Sequence, residues 1–133
     1  MTDLDLAGRY RAYLAVLNER RLDDLVEFVQ DELTYNGEPL TREQYRDLIA
    51  GDIEAIPDLF YDARIIMATD DRIACRILFD CKPEKPFLGF TPDGGRFLFA
   101  EHVFYRFVAG RIAAVDSLID RHAVAEQLRS RAR

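Results

Sequence analysis

Glu101 is the residue whose type and position could do chemistry. Reading every second residue from 97 gives Phe97, Phe99, Glu101, Val103, Tyr105 and Phe107, which share one face of a strand. Five of them belong against a core, and the sixth is a carboxylic acid. An unpaired charge buried there would cost several kcal/mol, so the group must shift its pKa or find a bond. A carboxyl poised in this way can act as general acid or base, with Tyr105 beside it. The other reading is a buried Glu satisfied structurally by a Tyr or by backbone amides.

His102 and Asp116 are a second pair with the types of a base and its orienter, but no Ser or Cys nucleophile stands beside them. The last two strands, Arg96 to Phe107 and Arg111 to Ile119, are joined at Val108-Ala109-Gly110. Ala109 resists positive φ, which predicts a three-residue loop with Gly110 in the left-handed position of a bulge. In that register Glu101 opposes Ser117 and His102 opposes Asp116. The second pair is then a cross-strand ion pair on the face away from Glu101. Two His without matching carboxylate spacing make no metal site, and His122 reads as a helix-surface residue.

The elements that must hold these groups follow from periodicity. Leu6, Tyr10, Tyr13, Leu14 and Leu17 mark an amphipathic first helix, and Leu22, Leu25, Val26 and Val29 a short second one. Leu33 to Asn36 is a short strand ended by Gly37 and Pro39. Thr41-Arg-Glu-Gln44 has the capping-box pattern, opening a helix whose buried stripe is Tyr45, Leu48, Ile49 and Ile53. Leu59, Tyr61, Ala63, Ile65 and Met67 alternate as one strand face, and Ile73 to Cys81 alternates again. Lys82 to Arg96 is a loop, yet its Phe87, Leu88 and Phe90 are too apolar for a free one and are expected to fold over a mouth. Asp120 caps a closing helix from Arg121 to Leu128. Helices followed by an antiparallel sheet give an α+β fold.

Composition sets the outer limits. The 133 residues suit one domain, 1–133, with one core, and 49% hydrophobic and 32% charged content is ordinary for a soluble globular protein. A net charge of −6 argues against nucleic acid or an anionic membrane as partner. The basic tail, Arg129 to Arg133, complements the dipole of the last helix. Cys75 and Cys81 lie six residues apart in one strand, hence roughly 20 Å apart, and cannot bridge each other. That predicts a reducing, cytoplasmic setting. The start, with Asp3 and Asp5, is no signal peptide, and no apolar run reaches transmembrane length.

Several segments together resemble a known family. They are Phe87 to Arg96, Phe99-Ala-Glu101, Phe104-Tyr-Arg-Phe107, Gly110-Arg-Ile112 and Ile119-Asp120, with Tyr13-Leu14, Leu17-Asn18 and Tyr35-Asn36-Gly37 upstream. The chain resembles SnoaL-like polyketide cyclases over nearly its whole length, and more closely the bacterial predicted ester cyclases grouped with them. The resemblance implies a nuclear-transport-factor-2-like (cystatin-like) cone, in which a curved antiparallel sheet wraps N-terminal helices around an apolar pocket, often in a homodimer. It also implies an intramolecular aldol closure run without metal or organic cofactor, by an Asp on the last strand and a His on the strand before it. Aligned on Tyr105-Arg106 and Gly110, those positions fall on Val103 and Ser117, with His102 and Asp116 each one residue off.

The pocket expected from this resemblance is lined by Tyr13, Tyr35, Asn36, Tyr61, Phe99, Val103 and Ser117, with Glu101 as acid/base. Tyr105, Tyr35 or Asn36 would be donors to an enolate oxygen. His102 and Asp116 are secondary candidates. Limonene-epoxide hydrolases resemble the same fold and use an Asp-Arg-Asp set. Asp80, Arg76 and Asp116 supply the types, but Arg76 and Asp80 alternate away from Cys75, Ile77 and Phe79. Two functions stand: a cofactor-free cyclase or isomerase abstracting a proton next to a carbonyl of a small apolar molecule, or a non-catalytic ligand-binding or dimerisation module.

Overall fold

The computed structural model describes residues 3–132. Its helices are α1 (Asp3–Asn18), α2 (Arg42–Ala55) and α3 (Arg121–Arg131), with a 3-10 turn at Leu22–Glu27. Its strands are β1 (Val29–Tyr35), β2 (Glu38–Thr41), β3 (Asp62–Ala68), β4 (Arg72–Cys81), β5 (Phe97–Val108) and β6 (Arg111–Ile119). They form one curved, unclosed sheet in the order β2-β1-β6-β5-β4-β3. All neighbours run antiparallel except β1 and β6, which are parallel. The concave face packs on α1, whose Leu6, Tyr10, Tyr13 and Leu17 are buried. β4 and β5 pair without interruption from Arg72↔Arg106 to Cys81↔Phe97, so their period-two alternation survives intact.

The last hairpin differs from the expected one. Val108 pairs with Arg111, so the loop is the two residues Ala109 and Gly110, at φ +51° and +79°. Ala109 takes the left-handed conformation it was expected to refuse, in a turn held to α1 by Arg9 Nε, which donates to the Gly110 carbonyl at 3.0 Å. A bulge then follows, because Phe107 pairs with Ile112 but Arg106 with Ala114. Glu101 therefore opposes Ile119, and Ser117 opposes Val103. The expected His102–Asp116 ion pair is not formed: His102 opposes Leu118, and Asp116 opposes Phe104. The shorter turn and the bulge each displace the register by one residue. Their sum is two, so from Ala114 onward the side chains of β6 keep their expected face, while Arg111 and Ile112, between turn and bulge, exchange theirs.

Other corrections are local. Asn36 and Gly37, both at positive φ, form a hairpin turn between β1 and β2, where only a strand end was expected. Val29 opens β1 instead of closing the short helix, and β1 is correspondingly longer. A bulge between Ala63 and Ile65 turns Ile65 and Met67 outward, away from the face shared by Leu59 and Tyr61. Leu48 is largely exposed, unlike Tyr45 and Ile49. The capping box forms as expected: Thr41 Oγ1 accepts from Gln44 N at 3.1 Å, and Gln44 Oε1 from Thr41 N at 2.9 Å.

The closing helix is longer than expected and grips the 82–96 connection at two places. From its first turn Arg121 donates to the Leu88 carbonyl at 2.7 Å. From its last turn Arg131 donates to both carboxylate oxygens of Asp93 and to the Arg96 carbonyl, with its guanidinium 4.4 Å from the Phe97 ring centre. A Cβ on Gly95 would come within 2.8 Å of that guanidinium, so glycine is what lets it dock. Both basic residues of the last turn, Arg129 and Arg131, stand where they complement the helix dipole, and Arg131 is in addition a clasp; Arg133 lies outside the described residues.

Candidate active site

A cavity of about 90 Å³ opens between α1, α2 and the concave face of the sheet. β5 supplies Phe99, Glu101 and Tyr105, α1 supplies Tyr13, and Tyr35 and Tyr61 come from beside the sheet's two ends. Of the three apolar loop residues expected at the mouth, Phe87 and Leu88 line it and Phe90 does not. Phe87 and Phe90 form a small bridge around Leu88 and Gly89, both at positive φ. That volume holds about three waters at ~30 Å³ each, below the ~300 Å³ usual for ligand pockets.

Glu101 is the acid of the sheet wall. Its Oε2 accepts a hydrogen bond from the Ser117 hydroxyl, which reaches it diagonally from β6. Burial pushes the Glu101 pKa up, the Ser117 bond pulls it part of the way back, and the charge of Asp52 adds to the rise. Tyr105 lines the same cavity, but the hydroxyl bonded to Glu101 is that of Ser117.

The tyrosine hydroxyls around the cavity hold their protons. Tyr13 and Tyr45 share a buried hydroxyl–hydroxyl bond of 2.6 Å. Burial raises the pKa of Tyr13, Tyr35, Tyr61 and Tyr105, so each keeps its proton near neutrality. At Tyr35 the carboxylate of Glu101 adds to the rise, while a hydrogen bond with Ser117 opposes it.

Three expected lining residues lie elsewhere. Asn36 sits in the β1–β2 turn, where its Oδ1 accepts from Ser117 N at 2.7 Å, fastening β1 to β6 instead of facing a ligand. Val103 is core, and Ser117 stands behind Glu101. His102 and Asp116 are exposed on the convex face, as their alternation predicted. His102 Nε2 lies 2.7 Å from Arg76 Nη1, a donor, so that nitrogen offers its lone pair. Arg76 and Asp80 are exposed on the same side, and Asp80 binds Arg96. No Asp-Arg-Asp set faces the cavity.

The cavity contains a group that sequence reasoning missed. Asp52 lines it from α2, and desolvation pushes its pKa up to about 6. The residue is exposed by surface area, yet the surface it shows opens onto the mouth between protein walls, so both descriptions hold. The signal was present: Tyr45, Leu48, Ile49 and Asp52 follow the i, i+3, i+4, i+7 spacing of one helix face.

Among the described residues no group of three or more His, Cys, Asp or Glu could hold a metal ion. No described helix is long and apolar enough to cross a membrane.

Comparison with known proteins bears on this geometry. A family model described as SnoaL-like polyketide cyclase matches residues 7–128. A SnoaL-like polyketide cyclase from Agrobacterium tumefaciens is 40% identical, with 92% of this chain and 97% of that one covered and a TM-score of 0.89. IdmH from Streptomyces antibioticus (20% identical, 92% and 97% covered, TM-score 0.81) shares the fold. So does TsrD from Streptomyces laurentii (19% identical, 96% and 97% covered, TM-score 0.85). No curated protein gives a significant match.

Proposed function

The chain belongs to the SnoaL-like polyketide cyclase family, and on that premise we propose that it is a cofactor-free acid/base enzyme of the cyclase or isomerase type. Glu101 abstracts a proton next to a carbonyl of a small apolar molecule, ester cyclisation being one form of this chemistry. The observation that carries the reading is the Glu101 carboxyl, held with raised pKa in a largely apolar cavity. Tyr35 and the Tyr13–Tyr45 pair are the donors available to the enolate oxygen. In the alignment that the resemblance implies, Val103 and Ser117 stand where its His and Asp would, which leaves Glu101 as the acid, and the Ser117 hydroxyl donates to it.

The same Ser117 bond favours a second reading, a non-catalytic ligand-binding module in which Glu101 is satisfied structurally. Proton exchange separates the two. With heptane-2,6-dione in D2O, the enzyme reading expects catalysed α-deuteration, lowered about 10²-fold or more in Glu101→Gln at unchanged melting temperature. Equal deuteration by both proteins, or a large loss of stability with no exchange by wild type, favours the binding module.

A homodimer through the convex face also belongs to this proposal. Two rows cross the sheet there, Met67–Ala74–Phe104–Asp116 and Ile65–Arg76–His102–Leu118. Leu118, Met67 and Phe104 are 76%, 66% and 59% exposed, an apolar patch of the kind that marks an interface. The free thiols of Cys75 and Cys81 fit a reducing, cytoplasmic setting.

A further inference from the structure

Asp52 is an acid in a place where its helix should be apolar. Tyr45 and Ile49 on the same face are buried, and Asp52 follows one turn later, against the cavity. Its carboxylate has no hydrogen-bond or ion-pair partner among the described residues. The basic groups in reach of the mouth are committed elsewhere. Arg20 donates to the carbonyls of Leu17, Pro57 and Leu59, Arg121 to that of Leu88, and Lys85 pairs with Glu54. At the mouth it is solvated, and it is left open to whatever displaces that water from the cavity.

Glu101 and Asp52 thus face the same space from different walls, one from the sheet and one from the helix. They differ in access. Glu101 lies deep and is bonded to Ser117, whereas Asp52 stands at the mouth, where its proton exchanges with water.

We propose that Asp52 is a second catalytic group, the acid that protonates the acceptor oxygen while Glu101 takes the carbon-bound proton, which fits the cavity to an apolar dicarbonyl that closes on itself. The proposal rests on the Glu101 reading. In the step, the Glu101 carboxylate removes an α-proton and the carbon forms a bond to the second carbonyl carbon. The electron pair of that C=O moves to its oxygen, and the Asp52 carboxyl supplies the proton. Substrate and aldol product are isomers, so no other reactant is consumed. Asp52 then regains a proton from water at the mouth, and Glu101 releases one as product leaves. A pKa near 6 suits Asp52 to this cycle near neutral pH.

Two readouts on one probe test it. Heptane-2,6-dione in D2O is followed by NMR for α-deuteration and for closure to the six-membered ring. Asp52→Asn should keep deuteration within about threefold of wild type and lose closure by about 10²-fold, and Asp52→Glu should restore part of the closure. Closure unchanged in Asp52→Asn overturns the role of Asp52. So does an equal loss of deuteration and closure, since Asp52 would then act before the carbon gives up its proton. Wild type that deuterates without closing also removes it, and leaves the Glu101 reading standing. Wild type that does neither removes both.

Discussion

The Ser117 hydroxyl donates to Oε2 of Glu101 although Ser117 pairs across the sheet with Val103. The bond is diagonal and exists because turn and bulge together move β6 by an even number of residues. It favours the charged form of Glu101, so Ser117→Ala should raise the Glu101 pKa further. A titration followed by NMR of labelled glutamate carboxyl carbons measures this, and a pKa that falls would contradict the arrangement.

Both cavity acids should make the protein less stable as pH rises. A carboxyl with a folded pKa above its unfolded value binds its proton more tightly when folded, so stability is lost between those two values. For Asp52 that window runs from 3.8 to about 6, and for Glu101 it opens at 4.5. Asp93, held down to about 2 by Arg131, acts below this window. Asp52→Asn should therefore flatten the decline in urea-unfolding free energy across it, by about 1 kcal/mol once solvent screening of this exposed residue is allowed for. A wild-type and mutant difference that does not vary with pH counts against the desolvation of the Asp52 carboxyl.

Leu118→Glu places a charge at the most exposed apolar side chain of the convex face. Sedimentation should change from dimer to monomer with cavity-ligand binding preserved. Wild type that sediments as a monomer at all concentrations, or a mutant that stays dimeric, removes the interface.

Ala109 sits at φ +51° in the β5–β6 turn. The left-handed region costs a residue with Cβ roughly 1 kcal/mol that glycine avoids, so Ala109→Gly should stabilise the protein by about that amount. Thermal unfolding checks this; no gain would contradict the strain at Ala109.

Much of the site was legible because strands repeat every two residues. Glu101 breaks an alternation six positions long, and its placement against the cavity needed no register. Asp52 breaks a helix stripe in the same way but escaped notice, because the alternative stripe through Ile53 is also apolar. Cross-strand partners were not legible. They depend on the conformation of Ala109, in a turn whose Gly110 carbonyl is bonded to Arg9, 101 residues away from Gly110, and on a bulge that no residue type announces. Asn36-Gly37 was readable as a hairpin, since both residues tolerate positive φ, yet the few apolar residues of β2 hid the strand beyond it. The convex position of Ile65 and Met67 likewise depends on a bulge.

The grip of α3 on the 82–96 connection has a mechanical consequence. One end of the helix holds Leu88 at the mouth and the other holds Asp93 and Arg96 at the loop's exit. The loop segment that carries Leu88 to the mouth is therefore tied at both ends to a helix that lies outside the cavity. A Cβ at Gly95, far from either carboxylate, would press on the Arg131 guanidinium and so on the tie that fixes the loop's exit.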